Sequence, residues 1–169
     1  MEITKKLIEI PFEWETILLF SQRLRPLEIL IENESYHTLE FNSEFFDTGG
    51  RFESTFGKTI NPGSSWLTLV ANKIPSAFTG VSGGLKYIMK GNDLQLYLGF
   101  TNPFWGCYKS FARLTLEEHA ANWGYEQAHG GLYEVSPIVE GCRVTAEITD
   151  AKYCPSKRIV FLIEHVTSQ

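Results

Sequence analysis

The stretch GGLKYIMKGNDLQLYLGF (Gly83–Phe100) decides the fold. It holds two β-rich runs, GGLKYIM and DLQLYLGF, and the MKGNDL between them reads as a tight hairpin, with Gly91 and Asn92 supplying the turn chemistry. Outward from this hairpin the same strand-like period recurs. LEILIEN places Leu27, Ile29 and Ile31 on one face, and YHTLEFNSEFF, RFESTF, SWLTLVA, RVTAEIT and RIVFLIEHV are further short β-rich runs. Gly49-Gly50, Asn61-Pro62-Gly63, Gly83-Gly84 and Gly141 punctuate them. The pattern predicts an all-β fold, a β-sandwich with one or two flanking short α-helices.

Two segments read as helical. Residues 12–24 follow Pro11, with Glu13 and Glu15 in the first turn and Arg23 and Arg25 near the end, the signs that suit a helix dipole. Trp14, Ile17, Leu18 and Leu24 form its apolar stripe, and Pro26 ends it. Residues 114–126 (LTLEEHAANWGYE) are the second. The 169 residues are expected to form a single domain, 1–169, with the amphipathic helix leading into a sandwich over about 27–169.

A net charge of −5 argues against nucleic acid, whose binding draws on basic side chains meeting phosphates. No run approaches the roughly 20 apolar residues of a spanning helix, and the acids in MEITKKLIEIPFEWE make a poor signal peptide. The chain is therefore expected to be soluble, either cytosolic or a mature secreted form. Cys107, Cys142 and Cys154 show no metal spacing and leave at least one thiol unpaired. His37, His119, His129 and His165 are scattered without ligand spacing, and Glu117-Glu118 are adjacent and do not face one another on a helix. Cys107 lies in no nucleophile signature. The expectation is a protein that is not an enzyme, with no cofactor and no metal.

The segment after the hairpin is unusual. GFTNPFWGCYKSF (Gly99–Phe111) crowds Phe100, Phe104, Trp105, Tyr108 and Phe111 around turn formers. Such rings either tuck under the loop or face out toward a membrane interface, a sugar or a choline cation. Tyr125 and Tyr133 lie after the second helical segment, and a chain doubling back there could bring Tyr108, Tyr125 and Tyr133 to one cavity.

The order of these segments resembles the actinoporins, sea-anemone cytolysins that bind sphingomyelin and phosphocholine headgroups, and their actinoporin-like relatives. An amphipathic helix leads to a strand ending ENES at Ser35. Thr79, Gly80, Gly83, Leu85 and Tyr87 follow as TGxxGxLxY, and Gly91, Asn92 and Leu94 as the GNxL hairpin. The aromatic loop, the Tyr133–Pro137 piece and the final IVFLIEHV complete the series. The resemblance implies a headgroup pocket of Pro103, Tyr108, Tyr125 and Tyr133, membrane-facing aromatics Phe104, Trp105 and Phe111, and a membrane-inserting helix bearing Trp14, Ile17, Leu18 and Leu24. Gly84 and Gly99 stand where the family carries a pocket valine and serine. The implied function is that of a membrane-binding, pore-forming cytolysin that recognises a phosphocholine or sphingomyelin headgroup and assembles as a homo-oligomer.

The fold is shared with fungal fruit-body lectins, so a soluble glycan-binding lectin without pore formation is the alternative, with Asn102, Asn122, Glu126 and His129 as hydrogen-bonding groups. Length bears on the pore. A 13-residue helix spans about 20 Å against a hydrocarbon core of about 30 Å. Adding residues 1–11 reaches about 36 Å, but places Pro11 inside the helix at a cost of about 3 kcal/mol.

Overall fold

A computed structural model describes residues 26–47, 50–52, 58–72, 80–103, 107–131, 136–152 and 157–167. The expected helix over 12–24, with Trp14, Ile17, Leu18 and Leu24, lies outside the described residues, as do Phe104, Trp105 and Tyr133.

Among the described residues, ten strands make two five-stranded sheets. Sheet I runs β3 (Gly50–Phe52), β5 (Ser64–Asn72), β1 (Leu27–Glu34), β10 (Lys157–His165), β9 (Cys142–Asp150). Sheet II runs β4 (Thr59–Ile60), β2 (Leu39–Asp47), β6 (Ser82–Met89), β7 (Gln95–Thr101), β8 (Lys109–Thr115). The pairing of β1 with β10 is parallel, and the other pairings are antiparallel. Among the described residues the fold is an all-β sandwich with one short helix.

Period-two patterning explains the core. Leu27, Ile29 and Ile31 of β1 and Ile159, Phe161 and Ile163 of β10 are fully buried against Leu85, Tyr87, Leu96, Leu98 and Phe100 of sheet II. Each such side chain withdraws about 1.5–3 kcal/mol worth of apolar surface from water. The β6–β7 hairpin forms where the sequence places it. Gly91 at φ 99° and Asp93 at φ 56° take the left-handed turn positions, and Met89 N–H donates to Leu94 O at 2.8 Å.

The second expected helix is corrected. Residues 109–115 form β8, whose Ala112 and Leu114 point into the core, and α1 begins at Asn122 and ends at Gly130. The stretch KSFARLT alternates with a period of two, and that alternation overrides the helix-favouring composition of LTLEEH. Gly131, at φ 73°, closes α1 in the left-handed conformation.

Candidate functional site

The site rests on the outer face of sheet II, and a bulge in β2 decides what that face presents. Leu39 and Phe41 point into the core, but the ladder with β6 skips between Phe41 and Ser43. One extra residue reverses the alternation. Phe46 therefore turns inward, and Phe45 and Asp47 turn out.

Two rows of side chains cross this face. Phe45, Gly84, Gly99 and Phe111 are register partners across four strands, and Asp47, Ser82, Thr101 and Lys109 form the next row toward the β7–β8 loop. The glycine row seats α1, which lies across β6, β7 and β8. A Cβ on Gly84 would stand 2.3 Å from the Ala121 carbonyl oxygen, and a Cβ on Gly99 only 1.9 Å from that of Gly124. Both obstacles are backbone, so only glycine admits the helix at this distance. These two positions are helix seats, not vacant parts of a pocket.

The segment leading into α1 is fastened from below. Lys86, 4% exposed, donates to the His119 carbonyl at 3.0 Å and to Glu118 Oε1 at 3.4 Å. The Tyr97 hydroxyl donates to the same carbonyl at 2.9 Å and accepts from His119 N–H at 2.5 Å. At the other end, Lys109 Nζ donates to the His129 carbonyl at 3.1 Å, satisfying one of the acceptors a helix leaves open in its last turn.

Across the glycine row α1 has two different flanks. Toward β8, Trp123 stands edge-on to Phe111 (5.3 Å, 89°) and to Tyr97 (5.0 Å, 82°), with Ala128 closing a small core. Toward β2, the Tyr125 ring lies 5.3 Å from Phe45 and 5.6 Å from His129. Its hydroxyl donates to Asp47 Oδ2 at 3.0 Å. Desolvation first, then the hydrogen bond to Asp47 and that carboxylate's charge, raise the Tyr125 phenol above its ordinary pKa.

Of the expected pocket residues, Pro103, Tyr108 and Tyr125 are described, and the two tyrosines lie on different faces of sheet II. Pro103 lies just beyond β7. Tyr108 is half-buried and packs against the core between the sheets, whereas Tyr125 stands on the outer face. Phe111, expected among the membrane-facing rings, is 5% exposed under Trp123 and is corrected to a packing residue. Its register opposite Gly99 puts it beneath the helix. Of the groups expected to bind a sugar, Asn102 is buried at 3%, Asn122 donates to Glu126 at 2.9 Å, and His129 is exposed. Sequence reasoning missed Phe45, Asp47, Thr101 and Lys109. The signal that could have found the first two is the β2 pattern itself, where Phe41 and Phe46 cannot both face inward without an inserted residue.

Among the described residues, no group of three or more histidines, cysteines, aspartates or glutamates could hold a metal, and no helix is long and apolar enough to cross a membrane.

No protein-family model matches the chain, and no curated protein matches it. Architecture is more informative. The sandwich is similar to that of Nakanori, a lipid-binding protein. The likeness to that crystal structure has a TM-score of 0.70 at 13% sequence identity and covers 90% of this chain and 77% of the other. At that identity it establishes the fold alone.

Proposed function

We propose that the protein binds a membrane lipid through its headgroup, using the end of sheet II that carries Pro103 and Tyr108 and, on its outer face, the Tyr125 flank of α1. The observation that carries this reading is Tyr125, held at the surface by Asp47 and flanked by Phe45 and His129. An amphipathic ring fixed in this way suits the headgroup zone and a bound cation. The fold shared with a lipid-binding protein supports it. Phosphocholine lipids, sphingomyelin among them, are the proposed ligands. One cation–π contact is worth about 0.5–2 kcal/mol, so lasting attachment requires the loop aromatics to enter the interface or several protomers to act together. Oligomerisation into a pore through residues 1–24 is the corresponding proposal for a lytic activity.

Sedimentation of the full chain with phosphatidylcholine–cholesterol vesicles, with and without sphingomyelin, tests binding, and dye release from the same vesicles tests the pore. Sphingomyelin-dependent pelleting is the expected result. A folded protein left in the supernatant of both would overturn the lipid reading, and pelleting without release would remove the pore alone.

A second reading has its own observation. An open groove of about 720 Å³ beside the start of α1 is lined by Asn42, Ser43, Phe45, Lys86, Glu118 and Asn122 among others. Planar amides and carboxylates around one aromatic ring suit a sugar's hydroxyls and its apolar face, which favours the lectin alternative. Glycan-array binding lost in Asn42→Ala, without vesicle association, would decide for it.

A further inference from the structure

A third row on the outer face of sheet II lies on the other side of the glycine row and carries two cations. Ser43, Lys86, Tyr97 and Arg113 are register partners across β2, β6, β7 and β8. Lys86 is almost sealed from water, yet it lines the open groove of about 720 Å³ beside the start of α1. Its charge is poorly matched there. One donor goes to the His119 carbonyl at 3.0 Å, and the Tyr97 ring centroid lies 5.6 Å from Nζ. The counter-ion is Glu118, at 3.4 Å and with its side chain 84% exposed. An ammonium–carboxylate bond normally closes to about 2.7–2.9 Å, and a partner so exposed contributes little. A second positive source points at the same groove. Ala120, Ala121 and Asn122 line it where α1 begins. The helix has alanine at its N-cap, no side-chain cap and no acidic residue in its first turn. Open N–H groups and the dipole favour an anion at such an end.

We propose that this groove binds an acidic sugar, one bearing a carboxylate or a sulfate, and that Glu118 is a plug which the ligand's anion displaces from Lys86. The inference deepens the second, glycan reading and rests on it for the sugar. Lys86 and the first turn of α1 receive the anion. Asn42, Ser43 and the exposed Glu44 offer partners to hydroxyls, and the Phe45 ring offers an apolar face. The volume falls within the roughly 300–1,000 Å³ of small-molecule sites. Glu118 suits the part of a plug because one long bond holds it and water surrounds the rest of it. Lys86 does not follow when Glu118 leaves, since the His119 carbonyl keeps it under the lead-in to α1. Glu44 sets the other limit. It repels a second negative charge, so a ligand with one anionic group is favoured over a heavily sulfated chain. A neutral sugar meets the same walls but gains nothing from Lys86.

Full-length protein is to be titrated with N-acetylneuraminic acid, glucuronic acid and galactose 6-sulfate, with neutral glucose and galactose, and with sodium acetate and sodium sulfate. Backbone amide shifts at Ser43, Lys86 and Ala121 follow each titration. An acidic sugar is expected to bind about tenfold more tightly than its neutral counterpart, the scale of one charged hydrogen bond. Glu118→Gln carries the signature of a plug: acidic sugars bind roughly threefold more tightly, the scale of an exposed ion pair, and neutral sugars bind as before. A merely structural Glu118 would leave both affinities alone or weaken them together. Lys86→Gln keeps a donor for the His119 carbonyl, removes the charge and erases the preference for acidic sugars. If that variant does not fold, the paired sugars on the parent and on Glu118→Gln decide alone. The two readings fail separately. Equal affinity for acidic and neutral sugars overturns the anion site and leaves the glycan reading. Shifts with acetate and sulfate that Glu118→Gln strengthens, with no sugar bound more tightly than these ions, uphold the anion site and its plug and remove the sugar. No shift with any probe overturns both.

Discussion

The two flanks of α1 are made from similar residues and do opposite things. Toward β8, Trp123, Phe111, Tyr97 and Ala128 interlock with ring planes near perpendicular and Phe111 almost sealed from water. Toward β2, Tyr125 and Phe45 meet at a tilt, half-exposed, with a carboxylate at the hydroxyl and a histidine beside it. The first flank stabilises the seat of the helix, and the second leaves a polar, aromatic surface for something else. The glycine row between them lets one short helix serve both.

The largest effect expected from this contrast is at Phe111. Removing a buried aromatic ring costs about 3–5 kcal/mol, so Phe111→Ala should shift the urea midpoint strongly and loosen Trp123, visible in its fluorescence. An outward-facing ring would change stability by no more than about 0.5 kcal/mol. A variant that stable would return Phe111 to the membrane-facing set and erase the distinction between the flanks.

Next comes the seat. Gly99→Ala places a methyl 1.9 Å from the Gly124 carbonyl oxygen, which cannot turn aside as a side chain could. Overpacking of this kind costs about 1–3 kcal/mol, and for a chain of this length each kcal/mol lowers the melting temperature by about 2–4 °C. The helix should lift, so the Tyr125–Asp47 bond and the Trp123 cluster should fail together. If Gly99→Ala melts with the parent, α1 does not rest on this row.

A smaller effect separates the flanks most cleanly. Tyr125→Phe keeps the ring and removes one hydrogen bond to a charged acceptor at a half-exposed site, worth about 0.5–1.5 kcal/mol. Stability should fall by that little, and amide exchange around Trp123 should stay as it was. Equal loosening of both flanks would mean that the helix is one rigid unit and that the binding surface is not independent of its support.

How far this was legible in the sequence depends on which interaction governs each residue. Strands such as β1 and β10 declare themselves because burial of one face imposes a period of two that Leu27, Ile29, Ile31, Ile159, Phe161 and Ile163 obey. The hairpin at Gly91 is local turn chemistry and reads equally well. β8 was hidden because Phe111 belongs to a face whose cover, α1, comes later in the chain, so its aromatic character looked like exposure. Asp47 was hidden for a related reason. Its direction depends on a bulge, and a bulge reveals itself only through pairing with β6. Gly84 and Gly99 read as departures from a pocket until the helix backbone above them was in view.

The weakest expected effect lies in alkaline solution and tests the Tyr125 flank without touching the other. An unfolded tyrosine titrates near pH 10, and the native Tyr125 phenol is raised by desolvation, then by its bond to Asp47 and that carboxylate's charge. A group raised on folding contributes stability that is whole below its unfolded value and is lost as pH climbs through the folded one, because the unfolded chain releases its proton first. The stability difference between the parent and Tyr125→Phe should therefore be constant up to about pH 10 and shrink above it. Tyr87, also raised by burial, titrates in both proteins and cancels in the comparison. Paired urea titrations across the alkaline range read this directly. A difference that stays flat would mean that Asp47 does not hold the Tyr125 proton, and with it would go the anchored carboxylate that distinguishes this flank from the aromatic one.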